Sequence, residues 1–472
     1  MHFKEKKNDD IKIYLAYVLL FALFVFKMFF YSNEGFSVAD SRAHMSYIIY
    51  MEKNSDILIP KFEDIKMYGT TDVQMYKEGA ELLQDNRILY KMEPQTATCY
   101  LGHPPLYYKL MQLCDVVHIA EDDSVYVDRQ KVSVCNIMLL ALTMMLVLIT
   151  GYKVIEKKGG TWEIHLLFVA ISTTLPMYAY LGSGATNDNL SNLGIVIFWM
   201  GLISYLDRGY CYKTFWLVAC GIMISLLSKL TAGLIVALVT VIIVVVDIIK
   251  TKKCGIILNK YFVTTLPVYL LTLLYFGIIY VRYGGLQPSY SQVSSLEEFK
   301  SGVFYVAEEN RVVLTFAELT ERFFKGLWQT WNGTYHSSFM IEREGIFALA
   351  YVFVLLLFLG AALLEIISYI KKKGKTNNMV SVAFLVALII TVLQQFDNFY
   401  TGYMSRGYLG GYQARYYLPC IPIIAMGACE CVLHMQIKTN TIMKNIKKYV
   451  VIGLAILLTY SDFIYFVTKI YA

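Results

Sequence analysis

Asp40, Arg42 and His44 fall within two helical turns of one another in the stretch ADSRAHMSY, residues 39–47, just past the first long apolar run. A carboxylate there could take a proton from an acceptor hydroxyl. If the following residues are helical, His44 shares its face one turn on. The same aspartate would serve equally as the N-cap of a juxtamembrane helix SRAHMSYIIYM. Some sixty residues later GHPPLYY, residues 102–108, sets two prolines before two tyrosines. Consecutive prolines fix φ and remove two backbone donors. Pro105 suits a helix start, which would put Tyr107 and Tyr108 in the first turn. The pair is either simple punctuation or a rigid lip turning His103 and the tyrosines toward Asp40.

Three further stretches carry charge at the ends of apolar runs. Lys229, in LLSKLTAG, breaks an apolar piece running from Thr214 to Ile249 that is too long for one span. A lysine at the bilayer centre costs ~2.5–3.5 kcal/mol on insertion scales. Lys229 therefore belongs near the outer interface or is paired, either snorkelling or holding an anion such as a lipid phosphate. Arg415, in GGYQARYYLPCIP, brings a donor fork that matches phosphate oxygens. Arg406 precedes it in the same loop, and Gln413 is a further pocket candidate. An ordinary interfacial arginine has the same spacing. Asp188, in GATNDNLSN, stands where a helix start needs a cap, and capping is the simpler reading beside a place in the substrate pocket. No ligand spacing argues for metal binding by Asp40, His44, His103 or Asp188, and a divalent cation stays open as a cofactor.

These groups sit in a chain of 472 residues that is 57% hydrophobic and 17% charged, with a mean hydropathy of +0.50. A soluble protein does not carry that much apolar surface, so the fold class is an all-α polytopic membrane protein. About eleven spans are expected, near 11–31, 133–155, 163–182, 190–206, 214–228, 231–249, 261–281, 345–369, 379–395, 415–435 and 449–468. The first run lacks a small-residue cleavage site and reads as a retained anchor. Lysine and arginine concentrate in KEKK, KVIEKKGG, DRGYCYK, KTKKCGIILNK, KKKGK and KTNTIMKNIKK, all on one side, while GSGATNDN and SKLTAG fall on the other. The N-terminus is then cytoplasmic and the C-terminus outside.

Two long outer segments follow, 32–132 and 282–344. They divide the chain into a transmembrane module over 1–281 that includes the first of them, the outer segment 282–344, and C-terminal helices over 345–472. SYIIYMEK and MYKEGAELLQ suit helices lying at the interface, and Trp328 and Trp331 suit a headgroup-level belt. Four of the seven histidines, His44, His103, His118 and His336, also map to the outer side. Most of the nine cysteines lie in apolar runs as small buried hydrophobes. Only Cys99 and Cys114 share an outer segment where a disulfide could form.

Taken in order, the outer acid after the first span, HPPLYY before the second, TNDNL before the fourth, SKLTAGL between spans and GYQARYYLPCIP late in the chain form a pattern. That pattern resembles the GT-C superfamily of integral-membrane glycosyltransferases over nearly the whole chain. It is most similar to the bacterial branch that resembles dolichyl-phosphate-mannose–protein mannosyltransferases and aminoarabinose transferases. The resemblance implies a polyprenyl-phosphate-linked sugar donor used on the outer face of the cell membrane. It makes Asp40 the acid that activates or orients the acceptor, and places Lys229 and Arg415 near the donor phosphate. His44 matches a histidine some relatives carry shortly after the acid. Ser41 departs from the pattern, because many relatives carry a second acid there, and this leaves metal use and the role of Asp40 open.

The expected activity is inverting transfer of a sugar to an acceptor hydroxyl on a glycan, lipid or protein during cell-envelope glycan assembly, with no nucleic-acid partner. The rivals are a lipid-linked oligosaccharide ligase or polymerase and a multispan transporter or flippase. A transporter would place ionisable groups near the midplane and carry internal repeats, whereas the polar groups here gather at one rim.

Overall fold

The computed structural model describes residues 2–33, 38, 40–69, 80–82, 88–335, 340–342, 346–371, 379–435 and 441–471. Helix α1 (His2–Asn33) leads into α2 (Ser41–Lys53), α3 (Leu106–Leu113) and α4 (Arg129–Lys157). Next come α5 (Trp162–Thr173), α6 (Pro176–Leu181), α7 (Asp188–Arg208), α8 (Tyr212–Ser228) and α9 (Leu230–Thr251). The short α10 (Lys260–Val263) precedes α11 (Leu266–Tyr283), and α12 (Tyr290–Val293), α13 (Leu296–Ser301) and α14 (Phe316–Asn332) occupy the second long connection. The chain closes with α15 (Ile346–Lys371), α16 (Val380–Arg406), α17 (Ile421–His434) and α18 (Thr441–Tyr471).

Among the described residues, eight helices are long and apolar enough to cross a membrane: α1, α4, α7, α9, α11, α15, α16 and α18. Three shorter apolar helices, Trp162–Thr173, Tyr212–Ser228 and Leu418–His434, fall on the remaining apolar runs. The protein is a multi-pass membrane protein. Its outward surface agrees: Leu270, Leu271, Leu273 and Leu274 of α11 are 61%, 62%, 66% and 60% exposed, a band that suits hydrocarbon and not water. The expected break in the Thr214–Ile249 run is real. Helix α8 ends at Ser228, Lys229 is extended at φ −152° and ψ 122°, and α9 begins at Leu230.

The principal core runs through the bundle and includes Phe24 and Met28 of α1, Phe168 of α5, Trp199 of α7 and Ile424 of α17. Helices α7 and α8 pack antiparallel at very close range. A Cβ on Gly221 would lie 2.5 Å from the Phe198 nitrogen, and one on Gly194 would lie 2.7 Å from the Ser225 nitrogen. Small residues at a helix contact let the backbones meet. The contact fixes the start of α7 beside the end of α8, so Asp188 and Lys229 become neighbours.

The first long connection differs from expectation. It holds a small antiparallel sheet of β1 (Lys66–Gly69), β2 (Ala80–Leu82), β3 (Ile88–Thr98), β4 (Val117–Ile119) and β5 (Val125–Val127). The order is β1-β3-β5-β4, with β2 also on β3. Of MYKEGAELLQ only Ala80–Leu82 lies among the described residues, and it is strand, not helix. SYIIYMEK is helical in α2, but Ala43 through Met51 are buried against α3 and the sheet in a second core, so α2 does not lie along the interface. Trp331 is 9% exposed and packs in the principal core, which removes it from a headgroup belt. Cys99 and Cys114 are not paired, and all nine cysteines are free. Burial pushes the Cys99 thiol up to about 12. His336 and all of the basic stretch KKKGK beyond its first residue, Lys371, lie outside the described residues.

Candidate active site

Four charged side chains from four parts of the chain meet at one end of the bundle. Asp40 adopts the left-handed conformation, φ 67°, immediately before α2, a position its short polar side chain tolerates. Its carboxylate caps nothing. One oxygen accepts a hydrogen bond from the Tyr100 hydroxyl at 2.6 Å, and the other pairs with Arg415 Nη2. Arg415 sits on a short 3-10 turn, Ala414–Tyr416, just ahead of α17. Its second terminal nitrogen lies 3.9 Å from Asp188. Asp188 in turn pairs with Lys229 and accepts from the Thr186 hydroxyl at 2.9 Å. The result is an alternating row, Asp40–Arg415–Asp188–Lys229.

The Tyr416 ring lies against both cations, with Lys229 Nζ 4.6 Å and the Arg415 guanidinium 5.6 Å from its centroid, a favourable electrostatic contact for each. Side-chain exposure falls from 31% at Asp40 to 6% at Arg415, 1% at Asp188 and 6% at Lys229. Asp40 is the member that solvent reaches. Burial would raise the Asp40 carboxyl pKa, but the Arg415 guanidinium and the Tyr100 hydrogen bond more than reverse this and hold it well below the ordinary carboxylate range.

The HPPLYY loop forms the adjoining wall. The His44 ring nitrogen Nδ1 is 2.9 Å from the Tyr108 hydroxyl, and its ring stacks on His103 at 6.0 Å and 9°. Tyr108 in turn stacks on Tyr47 at 3.7 Å. His103 is held by Gln287, 3.3 Å from its Nδ1, and its carbonyl accepts from the Tyr47 hydroxyl at 3.0 Å. A Cβ on Gly102 would lie 2.1 Å from the Pro288 carbonyl oxygen, so only glycine lets this loop reach the second connection. Burial first, and then neighbouring charge, keeps both rings neutral. His44 lies well below its ordinary value through burial and His103, and His103 falls to about 3 through burial and Lys229.

The remaining expected residues divide. Tyr107 turns away from the charges and donates to Asn136 at 3.0 Å, and Asn189 donates to the same Asn136 oxygen at 2.8 Å, which ties α3, α4 and α7 together. Gln413 precedes the Arg415 turn, and its side-chain oxygen is buried without a partner. Arg406 is not brought in. It ends α16 and lies over the Tyr408 ring at 5.7 Å, and among the described residues no hydrogen bond or ion pair joins it to Asp40, Asp188 or Lys229. His118 lies on β4 beside Asp115, 3.8 Å away. Two simpler readings also fail: the Asp188 side chain joins the charged row instead of capping α7, and Lys229 is buried beside it instead of snorkelling.

Sequence reasoning passed over Tyr100, just ahead of GHPPLYY, and Thr186 and Tyr416, which lie inside GATNDNLSN and GGYQARYYLPCIP. It also passed over Lys27 of α1 and Asp462 of α18, which form an ion pair inside the bundle at 1% exposure each, with Lys27 also 3.4 Å from the Thr173 carbonyl. Among the described residues no group of three or more His, Cys, Asp or Glu is gathered to hold a metal ion.

Fold and site together define a multi-pass membrane protein with a buried row of two carboxylates and two cations that opens to solvent at one carboxylate. No protein-family profile and no curated protein matches the chain. Among solved structures it is similar to the crystal structure of ArnT from Cupriavidus metallidurans bound to undecaprenyl phosphate. The identity is 10% and the TM-score 0.49, over 95% of this chain and 75% of that one.

Proposed function

We propose that this protein is an inverting glycosyltransferase that moves a sugar from a polyprenyl-phosphate donor to an acceptor hydroxyl at the outer face of the membrane. The observation that carries the reading is the row itself. Two buried cations 41 and 375 residues from their carboxylate partners converge beside one partly open acid. Such burial is costly unless the charges are paired and put to use. Arg415 and Lys229 both contact Asp188, and both are donor types that bind phosphate oxygens.

In the resting protein Asp40 is a poor base, because Arg415 and Tyr100 stabilise its anion. A donor phosphate that takes Arg415 as partner removes the stronger of these stabilisers and returns basicity to Asp40. The acceptor O–H then gives its proton to Asp40, the oxygen bonds to the anomeric carbon, and the bond from that carbon to the phosphate oxygen breaks. Negative charge growing on the departing polyprenyl phosphate is met by Arg415 and Lys229. One displacement inverts the anomeric centre. His44, His103 and Tyr108, neutral and mutually packed, form the wall on the acceptor side, and Asp188 holds the cations in place between turnovers.

The test is transfer of radiolabelled sugar from a polyprenyl-phosphate donor in proteoliposomes, with wild type and Asp40→Asn. Loss of transfer in the variant with the fold intact supports the assignment, and full activity in the variant overturns it. Activity only with a diphosphate donor would transfer the reading to a ligase or polymerase.

A further inference from the structure

A cavity lies at the far end of α7 from the charged row. Its volume is 660 Å³, and it is walled by the C-terminal turns of α4 and α7, the start of α8, the end of α15, the start of α16 and the body of α17. Asp188 opens α7 and Arg208 ends it, so about 30 Å of helix separates the two regions at 1.5 Å per residue.

The cavity is amphipathic. Leu146, Ile149, Trp199, Ile203 and Met426 give it an apolar wall. Its rim carries Lys153, Lys157, Lys158, Arg208 and Lys213, against the acids Asp207, Glu365 and Glu430. The acids are already committed. Lys157 binds Asp207 at 2.5 Å, Lys158 binds Glu430, and Glu365 accepts from the backbone nitrogens of Ser381 and Val382 at 3.2 and 3.0 Å, capping the start of α16. That leaves Lys153, Arg208 and Lys213 without an acidic partner among the described residues, all exposed around the mouth of an apolar hollow. Thr150 and Ser381 add hydroxyl-bearing side chains to the lining.

We propose that this cavity is a binding site for an anionic glycerophospholipid. The phosphate sits among Lys153, Arg208 and Lys213, the glycerol meets the hydroxyls, and the upper acyl chain enters between Ile149 and Met426. Charge complementarity selects the occupant: surplus cations over an apolar wall match a phosphate-headed lipid and disfavour a zwitterionic one. Because the lipid would bridge α4, α7 and α8, it would brace the same helix pair whose other end presents Asp188 and Lys229. The site is independent of the transferase reading and stands or falls separately.

The experiment is native mass spectrometry of the full-length protein released from micelles equilibrated in turn with phosphatidylglycerol, phosphatidylcholine and polyprenyl phosphate. The comparison is with a Lys153→Ala/Arg208→Ala/Lys213→Ala variant. All three side chains are exposed, so the variant keeps its fold, which its thermal midpoint in lipid-free micelles verifies. The expected result is a retained phosphatidylglycerol adduct at least fivefold more abundant than phosphatidylcholine on wild type, with that preference lost in the variant. Equal retention of the two phospholipids, or a preference unchanged in the variant, overturns the proposal. Preferential capture of polyprenyl phosphate at these cations overturns the glycerophospholipid assignment.

Discussion

Replacing Asp40 by Asn keeps the shape but removes the charge that holds Arg415 and turns one of the two accepting oxygens into a donor amide, so one of the bonds from Tyr100 and Arg415 is lost. If Arg415 must leave Asp40 to engage the donor, the variant makes two changes of opposite sense. Transfer falls by about 10²–10⁴, the usual worth of a positioned general base. Donor binding tightens, because the phosphate no longer competes with a carboxylate for the guanidinium. A hydrogen bond to a charged group is worth about 1.5–3 kcal/mol. Asp40 is 31% exposed while Arg415 is 6% exposed, so solvent screening places this pair at the lower end. About 1.5 kcal/mol corresponds to roughly tenfold in Kd. Isothermal titration with a non-hydrolysable polyprenyl phosphonate gives the Kd, and a single-turnover transfer assay gives the rate. Weaker donor binding in the variant would refute the competition between Asp40 and phosphate. Transfer within threefold of wild type would refute the base.

Three further outcomes follow from the same geometry. Lys27→Met or Asp462→Leu alone removes one member of an ion pair held at 1% exposure between α1 and α18 and is expected to cost about 3–5 kcal/mol, with most of it recovered in the double variant; thermal unfolding in detergent reads the cycle, and additive losses would show that the two side chains do not interact. Gly221→Ala drives a Cβ to 2.5 Å from the Phe198 nitrogen, so overpacking of about 1–3 kcal/mol should spread the ends of α7 and α8 that carry Asp188 and Lys229, lowering transfer along with the melting temperature. His103, held down to about 3 by burial and Lys229, takes up its proton in the unfolded chain at about 6.5 but not in the folded one; stability should therefore be full above that pH and decline as pH falls from about 6.5 toward 3, and a melting temperature that in His103→Asn keeps the whole of the wild-type slope would remove the histidine as its source.

The hydrophobic runs were legible because a span is a local property: about 20 apolar residues must cross the hydrocarbon whatever the rest of the chain does. The break at Lys229 was legible for the same reason, since a charge and a glycine interrupt one run. The sheet between α2 and α4 was not. Its strands are mostly three or four residues long, too short for alternation to register, and they hold together only through pairings such as Lys66 with Thr98. Arg406 had the same residue type and loop as Arg415, and nothing local distinguishes the one that reaches Asp40 from the one that lies over Tyr408.

The sequence by itself determined that this is a membrane protein, where most of its apolar helices lie, and which few ionisable residues stand at their ends. Each of those facts follows from the chemistry of one short stretch against water or hydrocarbon. Only the tertiary structure decided the pairing. Asp40 meets Arg415 across 375 residues, Asp188 abandons the cap its position suggests because close glycine packing of α7 on α8 brings Lys229 to it, and Lys27 finds Asp462 at the other end of the chain. A buried charge takes as its partner whatever opposite charge the packing of apolar surfaces carries to it, and that packing is a property of the whole bundle.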